Sequence, residues 1–364
     1  MSDSFKDKST KEKSLQILKY AISIAIMVGA IWYISKDMDF KSVAGYLGDM
    51  RWQYVLLVIP ITIFSHFMRT VRWKTMLEPI MPGRGLYNMF SAVMVGYFAN
   101  NVIPVPRAGE FLRPFALSRR EKVSFSSLFA TILLERVLDV IFLLTMFAVS
   151  FALLKDQILS AFPTDRISPA AILTVTALVI LVALLAFYPP LFEFFLAKII
   201  KPIAGKRYSK IESIYAKFKK GFSVIRNPSM YFKLFTESLA IWIIYAIPLY
   251  LLFFAFPALD SYDLGLTDSI LILVVAGVSV TIAPTPGAVG VYHVLVQTSL
   301  TQIYGIDINL ALAYATVAHG MSKLTEIALG GFFFSRENIK KVPTEEEMAE
   351  EMEEGVGDSR LTTP

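Results

Sequence analysis

The chain has 364 residues, of which 55% are hydrophobic and only 18% charged, with a formal net charge of +5 and a mean hydropathy of +0.56. A soluble domain carries about a quarter charged residues, so this composition describes a polytopic membrane protein and overrides the length prior of two soluble domains. The chain has no cysteine, which excludes disulfides, thiolate metal sites and cysteine catalysis, and its three histidines (His66, His293, His319) argue against a histidine-rich metal site.

Residues 1–14 are polar and basic, with Lys6, Lys8, Lys11 and Lys13. The apolar run over 15–35 is long enough to cross about 30 Å of hydrocarbon as a helix, and no small-residue cleavage site follows it. A second span runs from Trp52 to about Met68 and ends in Arg69, Arg72, Trp73 and Lys74. That basic and aromatic edge is expected at the cytoplasmic interface, where it can touch headgroups. Residues 86–104 are barely long enough to span and carry Gly96, Asn100 and Asn101 before Pro104 and Pro106. A basic loop, Arg107–Lys122, follows, and then clear spans at 124–154 and 169–197. Residues 198–233 hold ten basic side chains, with Ile211, Ile214, Tyr215, Phe218 and Phe222 recurring near one helical face. They read as a basic amphipathic helix on the cytoplasmic leaflet, or as a solvated connector. Another span covers 234–257 and precedes an acidic loop with Asp260, Asp263 and Asp268. Residues 269–300 are two apolar halves split by APTPGAVG, and 308–334 form the last span, containing His319, Lys323 and Glu326. The tail 336–364 is acidic and is expected to be disordered or frayed.

The positive-inside rule tests the two interrupted runs. A full crossing by 86–104 puts the basic stretch Arg107–Lys122 outside, against the rule; a re-entrant 86–104 keeps it inside. With 269–300 also re-entrant, every substantial basic loop falls on one side. The expected architecture is therefore all-α: six full transmembrane helices plus two opposed re-entrant hairpins, with an inverted repeat as an option and both termini cytoplasmic. Eight full spans are the alternative. Paired interrupted segments point to a transporter site. Pro104, Pro106, Pro284 and Pro286 break helices, and Gly287 and Gly290 allow unusual backbone. Half-helix ends there offer N–H groups to an anion.

Several motifs carry a family likeness: Arg72-Trp73 in MRTVRWKTML, Asn101 and Pro104 with PRAGEFLRP, Glu135-Arg136 with Asp139, and PTPGAVG at 284–290. Over roughly residues 15–335 the chain resembles the transmembrane domain of the lysylphosphatidylglycerol synthase/flippase family, also called the flippase-like or UPF0104 group. Two departures stand out. Ala288 replaces a family glycine and His293 a family glutamate near the second break, and His319-Gly320 with Lys323 replaces an arginine-containing segment. The aminoacyl-transferase domain of bifunctional members is absent from this sequence. The resemblance implies lipid handling rather than aminoacyl-lipid synthesis.

Charges deep in apolar sequence mark sites by default. Among Arg107, Glu110 and Arg113, an arginine can hold a lipid phosphate bidentately while Glu110 steadies it; the alternative is a purely topogenic loop. Glu135 and Asp139 lie at i, i+4 with Arg136 beside them, and are expected to pair with Arg107 or Arg113 and line a cavity, or else to form a structural ion-pair network. Asn101, Pro104, Pro284, Pro286, Gly287 and Gly290 shape the breaks, or simply kink. His293 reads as a proton-linked gate or as a packing residue. Lys323 and Glu326 are expected to pair.

The leading expectation is a lipid transporter or flippase in the cell (cytoplasmic) membrane, working by alternating access. A lipid-modifying enzyme using Glu110, Glu135 and Asp139 as acid–base groups, and a non-transporting assembly factor, are the alternatives. The sequence has no nucleophile–base pair or phosphate loop, so it is read as a non-enzyme with no cofactor and no metal. Its expected partners are membrane lipids with anionic headgroups, not nucleic acid, with homo-oligomerisation left open.

Overall fold

A chain segment inside hydrocarbon must satisfy its own backbone groups, so apolar runs in a membrane fold as helices. The computed structural model describes residues 18, 21–36, 38–103, 107–161, 193–205, 208 and 228–337, and among them the fold is all-helical, with no strand. The main helices are α1 (Ala21–Ser35), α2 (Phe40–Gly48), α3 (Trp52–Leu77), α4 (Leu86–Val102), α5 (Ala108–Glu121), α6 (Phe125–Leu153), α7 (Lys155–Ala161), α8 (Pro228–Ala255), α9 (Leu266–Ile282), α10 (Val291–Tyr304) and α11 (Ile308–Ser335). A 3-10 turn at Pro257–Tyr262 follows α8, and another at Pro286–Ala288 separates α9 from α10.

Two described helices, Trp52–Leu77 and Ser229–Ala255, are long and apolar enough to cross a membrane, and four spans result if α1 with α2 and α6 with α7 each count as one. Those two pairs bend by 87° and 89°. Trp52, Leu56, Leu57 and Phe64 on α3, and Phe232, Phe235 and Ile243 on α8, leave large apolar side chains exposed, as suits a surface solvated by lipid rather than water.

The chain divides into two compact units. The first comprises Met1–Thr62, Tyr97–Gly109 and Ala246–Gly331; the second comprises Ile63–Gly96, Glu110–Tyr245 and Phe332–Pro364. In the first unit, Ala311, Ala313 and Ala315 are fully buried on α11, and small side chains let helices approach closely. Tyr314 donates to Leu249 O of α8 at 2.7 Å, and its ring stacks on Phe253 with centroids 5.2 Å apart. Ahead of α3, Arg51 N–H donates to Ala255 O at 2.8 Å. In the second unit, Met76 of α3, Leu134 of α6 and Leu234 of α8 form a buried apolar cluster, with Leu138 and Met230 against it. This cluster packs together α3, α6 and α8, three of the four helices that carry the main site.

One expectation is corrected outright. The basic stretch after the first break is not a loop but the helix α5. Arg107 takes a left-handed φ of 60°, the Asn100 side chain accepts from the Gly109 amide at 2.8 Å, and the helix begins. Glu110 in its first turn and Arg119 and Arg120 in its last complement the helix dipole, so charge that looks loop-like in one dimension suits a helix here. The other break stands where the prolines put it: α9 ends at Ile282, α10 starts at Val291, and the two helices pack against each other across the Pro-rich turn. The expected N-terminus 1–14, Pro104, Pro106, nearly all of the span at 169–197, most of the amphipathic segment 198–233 and nearly all of the tail 336–364 lie outside the described residues.

Candidate functional site

The second unit contains a cluster of charges drawn from four helices. On α3, Arg69 and Arg72 sit three residues apart, and therefore on one face. On α6, Glu135, Arg136 and Asp139 present a matching face. α5 adds Glu110 and Arg113, again three apart, and α8 adds Glu237, Ser238 and Tyr245.

Glu135 is the hub. Its side chain is fully buried and meets all four arginines. Arg69 bonds it directly, Arg113 Nη1 reaches both its oxygens at 3.0 Å, Arg136 Nη2 reaches Oε1 at 3.0 Å, and Arg72 Nη2 lies 3.6 Å away. Asp139 is held by three of them: Arg72 Nη2 at 2.6 Å on Oδ1, and Arg69 Nη2 at 3.0 Å and Arg136 Nη2 at 2.9 Å on Oδ2. Glu110 stands 3.8 Å from Arg136 Nε. Four guanidinium groups thus face Glu135, Asp139 and Glu110, and with Glu237 of α8 the formal charges of the cluster balance. The rim is uneven: the Arg72 side chain is sealed, whereas those of Asp139 and Arg136 are 21% and 32% exposed.

Neutral partners complete the shell. Arg72 Nη1 donates to Ser238 Oγ at 3.1 Å, and Arg69 Nη1 to the Tyr245 hydroxyl at 3.4 Å. The guanidinium of Arg113 covers the Trp73 ring at 3.9 Å, and Trp73 Nε1 donates to Thr131 Oγ1 at 2.9 Å. Thr75 donates to Glu237 Oε1 at 2.8 Å. Arg72 Nε and Arg136 Nε are among the buried donors with no hydrogen-bond acceptor, and Glu135 Oε2 has no donor. Buried charges persist only when paired and hydrogen-bonded, and this cluster is nearly but not fully satisfied.

The first unit holds a second constellation around the α9–α10 break. Gly287 has φ 59° and Gly290 φ 87°; a Cβ on Gly287 would stand 2.9 Å from Asn101 Oδ1, and one on Gly290 would stand 2.8 Å from Ala30 Cβ. Glycine is required at both, by conformation and by space. Ser23 of α1 donates to Pro284 O at 2.7 Å. His319 Nε2 lies 2.8 Å from Gly287 O; a carbonyl only accepts, so Nε2 carries the proton. Tyr292 stacks on His319 at 4.4 Å, and His293 meets His319 edge-on at 5.0 Å. Asn101 Nδ2 donates to Glu326 Oε2 at 2.7 Å, which also pairs with Lys323 at 2.9 Å, as the spacing of those two residues suggests. Arg107 Nη2 donates to Thr281 O in the last turn of α9 at 3.0 Å, where a cation favours the helix dipole.

The expected site residues therefore divide. Arg113, Glu135, Arg136, Asp139 and Glu110 gather in the second unit. Arg107 belongs to the first unit, with Asn101, Pro284, Pro286, Gly287, Gly290 and His293. Arg69, Arg72 and Trp73, expected as an interfacial anchor, are buried in the charge cluster, where carboxylates of α6 pair with the two arginines. Sequence reasoning passes over Thr75, Thr131, Glu237, Ser238, Tyr245, Tyr292 and the His319 contact. Its one available signal was the polar pair Glu237-Ser238 inside an apolar run.

A UPF0104 membrane protein of Methanocaldococcus jannaschii is 32% identical over 149 residues, 40% of this chain and 42% of that protein. The chain thus matches less than half the length of this relative. A UPF0104 membrane protein of Pyrococcus horikoshii is 24% identical over 325 residues, covering 85% of this chain and 93% of its own. One of Methanothermobacter thermautotrophicus is 23% identical over 253 residues, 65% of this chain and 72% of its own. The family described as the lysylphosphatidylglycerol synthase TM region matches residues 17–330, the stretch that carries both constellations, and the chain is a member of that membrane-protein family.

Proposed function

We propose that the protein is a flippase-type transporter that moves an anionic phospholipid or lipid-linked precursor between the leaflets of the cell membrane. The observation that carries this reading is the gathering of four guanidinium groups in the α3–α5–α6–α8 cluster, where Asp139 and Arg136 stay partly open. An anionic headgroup gains charge-assisted bidentate hydrogen bonds there. The broken helices around Asn101 and Gly287 supply the rearranging element that alternating access needs. Six full spans, re-entrant segments at 86–104 and 269–300, and cytoplasmic termini belong to the same proposal.

The test is reconstitution in vesicles with a fluorescent short-chain phosphatidylglycerol, followed by leaflet exchange. Exchange above empty vesicles is expected, and Arg136→Gln should slow it about tenfold, the equivalent of one charge-assisted hydrogen bond. No exchange for any anionic lipid sinks the reading. The topology is tested by Arg119→Cys, a unique thiol in a chain without cysteine. It should react from the cytoplasmic side, and reaction from outside would favour eight full spans.

A further inference from the structure

We infer that Asp139 is a resident stand-in for a phosphate-ester anion: it occupies the ligand's seat among Arg69, Arg72 and Arg136 and leaves it when the ligand binds, an assignment that rests on the anionic-lipid reading of the same cluster. The two carboxylates of α6 are unlike. Glu135 is sealed and shared by all four arginines, which makes it the permanent counter-ion. Asp139 spreads its two oxygens over three arginines, and its side chain is 21% exposed.

Charge accounting favours exchange over addition. A carboxylate presents two terminal oxygens that share one negative charge, and a phosphodiester presents two non-bridging oxygens that do the same. Swapping one for the other leaves the buried charge of the cluster unchanged and avoids the desolvation penalty of burying an extra ion. The incoming group also has more acceptors than the one it replaces. Arg72 Nε and Arg136 Nε, buried without acceptors, belong to the same two guanidinium forks that hold Asp139. Ester oxygens of a phosphodiester can use donors that a carboxylate leaves idle. Arg136, 32% exposed, marks the open side of the seat.

An internal occupant lowers apparent affinity by the fraction of time the seat is taken. The experiment is equilibrium binding to the full chain in phosphate-free detergent micelles, with dioctanoyl phosphatidylglycerol, glycerol 3-phosphate and inorganic phosphate as separate probes. Asp139→Asn keeps the shape and removes the competing charge, and it should bind phosphatidylglycerol about tenfold tighter or more than the unaltered protein. If the unaltered protein binds and Asp139→Asn binds no tighter, the stand-in role is overturned while the anionic-lipid reading survives. If neither binds any probe, both fall. If the gain is equal for the two soluble phosphates, Asp139 keeps its role and the lipid source is overturned. Should Asp139→Asn not fold, the unaltered protein labelled with 13C-aspartate decides the matter. Its infrared difference spectrum on adding phosphatidylglycerol should show one aspartate carboxylate band shifting, and an unchanged spectrum overturns the inference.

Discussion

Arg113 lies with its guanidinium over the ring of Trp73 at 3.9 Å while its Nη1 holds both oxygens of Glu135. One side chain thus joins a cation–π contact to a buried ion pair. The stack orients the guanidinium, and Nη1 pairs with the carboxylate, whose Oε2 lacks a hydrogen-bond donor.

Breaking that arrangement from the carboxylate side is expected to be severe. Glu135→Ala strands four buried or half-buried guanidinium groups, and removing one partner of a buried ionic set costs roughly 3–5 kcal/mol. Arg113→Lys should cost less, about 1–2 kcal/mol, since an ammonium keeps the charge but loses the planar stack and the fork. Thermal unfolding of the two variants in the same detergent should rank them in that order, and the reverse ranking would refute the hub role of Glu135.

Gly287 should reject even a methyl group. Its φ of 59° and the Asn101 oxygen 2.9 Å from a built Cβ both oppose Gly287→Ala, and the conformational part alone is worth about 1–2 kcal/mol. Asn101→Ala removes the obstacle but also the 2.7 Å bond to Glu326. The double variant should therefore be less unstable than the sum of the two singles, by an amount a mutant cycle resolves. Strict additivity would show that the two residues do not press on one another.

The Arg51–Asp260 pair provides a pH test. Arg51 makes two parallel bonds to the carboxylate, at 3.1 and 2.6 Å. The Arg51 hydrogen bond holds the Asp260 carboxyl below the ordinary aspartate range. A carboxyl with a depressed folded-state value stabilises above its unfolded value and loses that contribution as pH falls through the folded one. The effect is therefore present at neutral pH and fades below about pH 4. Both side chains are substantially exposed, so the effect is small. Arg51→Met should flatten the acid limb of a stability–pH profile, and an unchanged limb would assign it to other carboxylates.

How much of this was legible in the sequence depends on the range of the interaction. The break at 283–290 is local: two prolines and two glycines dictate it, and α9 and α10 end where they should. The Lys323–Glu326 pair is local too. Arg69 and Arg72 are a different case. At the end of an apolar run they read as a membrane edge, because hydropathy registers position along one helix and not what another helix brings to it. Their carboxylates lie 66 and 67 residues away. Arg107 and Arg113 look equivalent in one dimension, six residues apart, yet the first caps α9 and the second grips Glu135. Only the left-handed turn at Arg107 and the helix beyond it separate their roles. Glu237 and Ser238 were visible as a polar interruption, but nothing local said that they meet Thr75 and Arg72.

The two interruptions of the chain are stitched to each other. Asn101 abuts Gly287, Arg107 holds the last turn of α9, and His319 holds the carbonyl of Gly287. Asn101 and Arg107, on either side of the first interruption, therefore both fasten to the segment 281–290. Displacing either side therefore breaks contacts of the other, although the sequence writes them in two places nearly 200 residues apart.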